Sequence, residues 1–141
     1  MTSFDVLHKD IVQFLETQGI RTPTEIQEKA IPLLLAEPIH TLLLSPTGSG
    51  KTEAALLPLL HALYLQKMKG ELYGIYILYI TPLKALNRDV FKRIEGLCDH
   101  LGITVSVRHG DTTAYARRKQ ALTPPNLLIL TPESLQAILP G

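Results

Sequence analysis

The sequence predicts an α/β protein: a parallel sheet covered by helices on both faces, in three layers. Three observations predict it. Segments 41–45, 75–81, 103–107 and 127–131 are rich in Ile, Leu, Val and Tyr and nearly free of charge. They alternate with stretches of helical length and pattern at 50–66, 83–100, 112–121 and 132–139. Three of the strand-to-helix junctions also carry residues suited to starting a helix. Continuous apolar strands joined by helical crossovers indicate a parallel sheet, because both faces of such a strand must be buried.

Taken in order, Phe4, Leu7, Ile11, Phe14 and Leu15 recur at helical spacing, and Gly19 supplies a stop. A second helix is predicted over 24–35. Thr24 caps it and Gln27 follows three residues on, the spacing of a capping box. Pro58 falls inside the 50–66 segment and is expected to kink that helix or close it early, since its ring removes an N–H and crowds the preceding turn. Thr81-Pro82 and Thr131-Pro132 each end an apolar strand. Threonine suits the N-cap and proline the first helical position. Each junction therefore aims free N–H groups out of the carboxyl rim of the sheet, where open parallel sheets bind ligands. On these residues alone, phosphate sites and plain helix starts fit equally well.

At 141 residues, 45% hydrophobic and 19% charged, the chain is one globular domain's worth of ordinary soluble composition. A net charge of +1 gives no general electrostatic case for a nucleic-acid partner, so any such partner must be held by local sites. The single cysteine, Cys98, excludes an internal disulfide and reads as a small apolar filler. His8, His40, His61, His100 and His109 lack metal-ligand spacing. No apolar run approaches the ~20 residues of a membrane span. Asp5, Lys9 and Asp10 replace the apolar core of a signal peptide. The expected location is cytoplasmic, away from any membrane.

The most specific signal is Ser45-Pro46-Thr47-Gly48-Ser49-Gly50-Lys51-Thr52, placed between the strand at 41–45 and a helix. Strand, glycine loop and helix in that order form a cradle for a phosphate chain. Gly48 and Gly50 let the backbone turn its N–H groups inward. Lys51 reaches the outer phosphates, and the Thr52 hydroxyl suits a Mg²⁺ ion that keeps most of its waters. These residues predict a site for a nucleoside triphosphate. The first position is Ser45 rather than glycine, a variant that resembles the loop of superfamily 2 helicases.

The chain as a whole, from about Phe4 to Gly141, resembles the first RecA-like domain of such a helicase, and most closely the large helicase-related (Lhr) family. Arg21-Thr22-Pro23-Thr24-Glu25-Ile26-Gln27 is similar to the Q motif, within a region spanning 1–38. The resemblance implies that Gln27 reads the adenine edge and Phe4 packs on the base. An amide offers the donor and acceptor such an edge requires. Glu25 stands where DEAD-box relatives commonly carry proline, which points away from that branch. Thr81-Pro82-Leu83-Lys84-Ala85-Leu86-Asn87-Arg88-Asp89 resembles motif Ia, and Thr131-Pro132-Glu133-Ser134-Leu135 resembles motif Ib. Arg108-His109-Gly110-Asp111-Thr112 resembles a loop of Lhr proteins. The resemblance implies that Thr81, Pro82, Lys84, Asn87, Arg88, Gly110, Asp111, Thr131, Pro132 and Glu133 grip the backbone of one nucleic-acid strand. Arg117-Arg118-Lys119 reads as a solvated surface face.

Hydrolysis in this family requires an Asp-Glu pair, and no two acidic residues are adjacent in this sequence. The resemblance therefore implies a partial domain over 1–141, incomplete at its C-terminal end. Its further partner is a second RecA-like domain. ATP and Mg²⁺ are the expected cofactors, and turnover by this chain alone is expected to be negligible. In the family, the strands that flank the loop strand lie beyond Gly141. Segment 41–45 is therefore expected to lack sheet neighbours and to expose its apolar side chains. Two other readings stay open: a non-catalytic binding module, and a small P-loop kinase or GTPase.

Overall fold

Three parallel strands carry the sheet: β1 (Ile77–Ile80), β2 (Val105–Arg108) and β3 (Leu127–Leu130), in the order β1-β3-β2. The computed structural model describes residues 1–37, 39–46, 48–82, 84–108 and 112–139, and the side chains of all these except 84 and 85. Ile80 and Arg108 both lie in register with Leu130, so the three strands end level at one rim. The central strand is Leu127-Leu128-Ile129-Leu130, and all four side chains are buried. Four consecutive apolar residues are what a strand covered on both faces needs.

The chain divides into two compact units, Met1–Gly70 and Glu71–Gly141. The first holds a 3₁₀ turn (Ser3–Val6), α1 (Lys9–Thr17), α2 (Glu25–Ala36) and α3 (Lys51–Lys69). Its core includes Phe4, Ile11, Leu15, Ile31, Leu56 and Leu60. The second holds the sheet with α4 (Lys84–Leu101), α5 (Ala114–Leu122) and α6 (Pro132–Ile138). In this unit α4 packs on β2 and β3, burying Val90, Ile94, Leu97 and Cys98 at helical spacing.

Local signals set most boundaries. The Thr24 side chain accepts from the Gln27 N–H, and the Gln27 side chain accepts from the Thr24 N–H, a reciprocal capping box. Gly19, at φ 79°, follows the end of α1, and its N–H donates to the Glu16 carbonyl. Thr131 caps α6 with Pro132 at the first position.

Three expectations are corrected. Segment 41–45 forms no strand: the three strands above are those found among the described residues, and none pairs with it. A strand exists only through ladder partners, and Leu42 and Leu44 stand 80% and 78% exposed, as expected of a segment without neighbours. Of the two outcomes expected of Pro58, early closure does not occur: α3 runs on to Lys69. The burial of Pro58 together with Leu56, Leu57, Leu60 and Leu63 offsets the lost hydrogen bond. Helix α4 runs from Lys84, and Pro82 lies outside it rather than at its first position; the Thr81 N–H extends the sheet to the Leu130 carbonyl. No helix among the described residues is long and apolar enough to cross a membrane.

Candidate nucleotide and nucleic-acid sites

In the first unit the glycine loop is curled rather than stretched. Gly48 (φ 81°) and Gly50 (φ 86°) both take left-handed backbone conformations, and the Ser49 N–H donates to the Pro46 carbonyl. Gly50 is the N-cap of the 19-residue α3, with no side chain capping the helix. The dipole of this helix favours an anion at its start. The Ser45 and Ser49 hydroxyls contact one another across the loop. Lys51 is exposed at the mouth and Thr52 is half-buried behind it. Thr47 lies outside the described residues.

Gln27 ties this loop to α2. Its Nε2 donates to the Gly50 carbonyl at 3.1 Å, and the same carbonyl accepts from the Ala54 N–H at 3.0 Å. Its Oε1 accepts from the Thr24 N–H at 3.0 Å. The amide has therefore spent one donor and one acceptor and keeps one of each. A Cβ at Gly50 would collide with Gln27 Nε2 and lie 3.1 Å from Thr24 Oγ1. Beside the loop opens a cleft of about 340 Å³, lined by Thr24, Glu25, Lys29, Ser45, Pro46 and Ser49 among others. Phe4 is 3% exposed. As placed, its ring packs in the core and offers no face to a base, so stacking would require it to turn outward.

In the second unit, strand register does the assembling. Thr81, Arg108 and Thr131 follow or end strands that stop level, so the Thr81-Pro82 and Thr131-Pro132 segments meet at one rim. There a cleft of about 360 Å³ is lined by Pro82, Arg108, Arg117, Thr131, Glu133 and Ser134. The Thr131 hydroxyl accepts from the Ser134 N–H and bonds the Ser134 hydroxyl at 3.1 Å, which fixes the lip of the cleft. Burial and the nearby charge of Arg117 hold the Arg108 guanidinium below its ordinary pKa. Arg88, Pro132 and Glu133 are exposed. Asn87 is wholly buried, so a direct phosphate contact is not open to it. Gly110, Asp111 and the Lys84 side chain lie outside the described residues.

A sequence model of the DEAD/DEAH box helicase family matches residues 24–140. The chain belongs to the DEAD/DEAH box helicase family. This helicase-family chain is 42% identical over 130 residues to the ATP-dependent helicase Lhr-Core of Sulfolobus acidocaldarius, covering 86% of itself and 14% of that protein. With Lhr-Core of Methanocaldococcus jannaschii it shares 36% identity over 145 residues, 94% of this chain and 17% of the other. Its fold matches that of Mycobacterium smegmatis helicase Lhr, solved bound to ssDNA and AMP-PNP, with a TM-score of 0.79 and 33% identity over 96% of this chain and 18% of that one. With the DEAD-box ATP-dependent RNA helicase 36 of Arabidopsis thaliana it shares 30% identity over 128 residues, 91% of this chain and 25% of the other. The helicase-family chain spans 13–17% of the length of the Lhr-Core relatives it matches.

Sequence reasoning missed several residues that shape these sites. Arg117 read as a surface charge, yet α5 brings it to the rim cleft. Gln120 and Asn126 drew no attention because a lone amide carries no sequence signal. Asn126 donates to the Gly74 carbonyl at 3.1 Å and accepts from the Thr104 N–H at 3.2 Å, lacing the entrances of β1 and β2 to β3. Among the described residues no cluster of three or more His, Cys, Asp or Glu could hold a metal. Thr52 at the start of α3 fits a Mg²⁺ ion held mainly by phosphates and waters, which is the usual manner of that ion.

Proposed function

We propose that the chain is the ATP-binding portion of an ATP-dependent nucleic-acid helicase or translocase. The observation that carries this reading is the curled loop at Gly48–Gly50, clamped by Gln27 and opening onto the start of α3. Ser45, Pro46, Thr47, Gly48, Ser49 and Gly50 would wrap the phosphate chain, Lys51 would offset its outer charge, and Thr52 would hold the Mg²⁺. The donor and acceptor left on Gln27 match what an adenine edge asks for. Phe4 would have to turn out to stack on it. The Mg²⁺ supplies charge neutralisation on the phosphates.

One nucleic-acid strand would lie along the rim of the second unit. Thr81, Pro82, Lys84, Arg88, Gly110, Asp111, Thr131, Pro132 and Glu133 would face its backbone. The Mycobacterium smegmatis Lhr structure holds both ssDNA and AMP-PNP, which supports both halves of this reading. Without an adjacent pair of acidic residues in the 141-residue sequence, the chain has no evident group to activate water. It should therefore bind ATP without turning it over, and a second RecA-like domain would complete the motor.

Titration with a fluorescent ATP analogue tests the reading. Binding should weaken by about tenfold or more in Lys51→Ala, since a charge-assisted phosphate contact is worth about 1.5–3 kcal/mol. An unchanged Kd in that variant would reject the phosphate assignment, and preference for guanine would favour a GTPase. ATP turnover that disappears with Lys51 would overturn the expectation of a binding-only chain.

A further inference from the structure

The geometry points to Arg108 and Arg117 as a two-guanidinium clamp for a phosphodiester of one nucleic-acid strand, with Gln120 positioning Arg117; this rests on the nucleic-acid reading above. Arg108 ends β2 and Arg117 sits on α5, and both line the rim cleft. Among the described residues, the cleft gathers two guanidinium groups against one carboxylate, that of Glu133. It also holds the Ser134 hydroxyl, which accepts from the Thr131 hydroxyl and keeps its own proton to donate to a phosphate oxygen. The Nε of Arg108 is sealed from solvent with no hydrogen-bond partner among the described residues. A buried donor left unpaired is costly, and an anion in the cleft would supply the acceptor once the guanidinium turns toward it. The planar fork of arginine is the side chain best matched to the oxygens of a phosphate.

What places Arg117 there is Gln120. Its Nε2 donates to the Ser106 hydroxyl at 2.7 Å and to the Val107 carbonyl at 2.9 Å. These bonds pin α5 to β2, an edge strand of the sheet among the described residues. Residues three apart share one face of a helix, so the anchor at Gln120 carries Arg117 toward the strand end that holds Arg108. The charged groups of the described lining come from separate elements, so a chain of net charge +1 can still make a local anion site.

The test is binding of a labelled single-stranded oligonucleotide to the full chain between about 50 and 200 mM salt. Arg117→Ala should weaken binding equally on every sequence and lower the slope of log K against log salt by about 0.7, the value for one lost contact on a single strand. Arg117 is exposed, so its removal should spare the fold. Gln120→Leu should weaken binding in the wild type and add nothing in the Arg117→Ala background. A purely structural role for Gln120 would instead add its effect in both. Wild-type and Arg117→Ala chains with the same slope would overturn the clamp and leave the nucleic-acid reading standing. A wild type that binds no oligonucleotide at any salt would overturn both. The Arg108 Nε–H resonance should move with the oligonucleotide and not with inorganic phosphate at equal concentration. Equal movement with both would overturn the strand as its source.

Discussion

Gly50 carries two constraints that Gly48 carries only in part. Both lie at positive φ, where a Cβ is strained. Gly48 has open space around it, whereas Gly50 sits against the Gln27 amide and the Thr24 hydroxyl. The stability cost of Gly48→Ala should therefore be backbone strain without a clash, about 1 kcal/mol. Gly50→Ala should cost more and also weaken nucleotide binding, because Gln27 must be displaced from the loop. Thermal melts and nucleotide titration of the two variants, side by side, check this contrast. Asn126 makes the same kind of argument in the second unit. Asn126→Ala leaves the Gly74 carbonyl and the Thr104 N–H without those partners, and should cost about 1–3 kcal/mol in urea unfolding. At Cys98, burial pushes the thiol up to about 12. The folded chain should therefore resist alkylation near pH 8, and labelling should follow unfolding.

Among the elements, α3 links the glycine loop at its start to a polar latch three turns on. The His8 N–H donates to His61 Nδ1 at 2.9 Å, and the Tyr64 hydroxyl donates to Asp10 at 2.6 Å. The His8 and Tyr64 rings meet edge to face. Burial, and then the charge of His8, lower the pKa of His61 below 6.5. Only neutral His61 can accept this bond. The folded state thus disfavours the proton, so the stability from the latch is complete above about pH 6.5. It is lost as pH falls through the lowered folded value. The loss should be at most about 1 kcal/mol, given one hydrogen bond on a half-exposed ring. His61→Gln keeps an acceptor that does not titrate, and should flatten the dependence of Tm on pH between about 5 and 7. A slope unchanged in that variant would assign it to other groups. Strand β2 shows what an element requires beyond its own sequence: the Val107 carbonyl, on one edge, is met by Gln120 from α5.

For the molecule as a whole, segment 41–45 is the exposed liability. Leu42 and Leu44 stand out from a backbone with no ladder partner among the described residues. Extended apolar segments of this kind invite pairing with another chain. Light scattering should show self-association of the wild-type chain. The Leu42→Lys, Leu44→Lys double variant should reduce it with a stability change within about 0.5 kcal/mol, because neither side chain is packed. Unchanged scattering would place the sticky surface elsewhere.

The alternation of strands and helices, the capping box at Thr24 and Gln27, the glycine loop and the family were all legible in the order of residues. These are written in local periodicity, in φ requirements and in short motifs, which need no partner distant in the chain. Other features came only with the folded molecule: 41–45 forms no strand, and α3 outlasts Pro58. Likewise Gln27 clamps Gly50, Asn87 is buried, and Arg117 reaches the cleft of Arg108. Each of these depends on what lies across a ladder or a packed face, and spacing along the chain does not encode those neighbours.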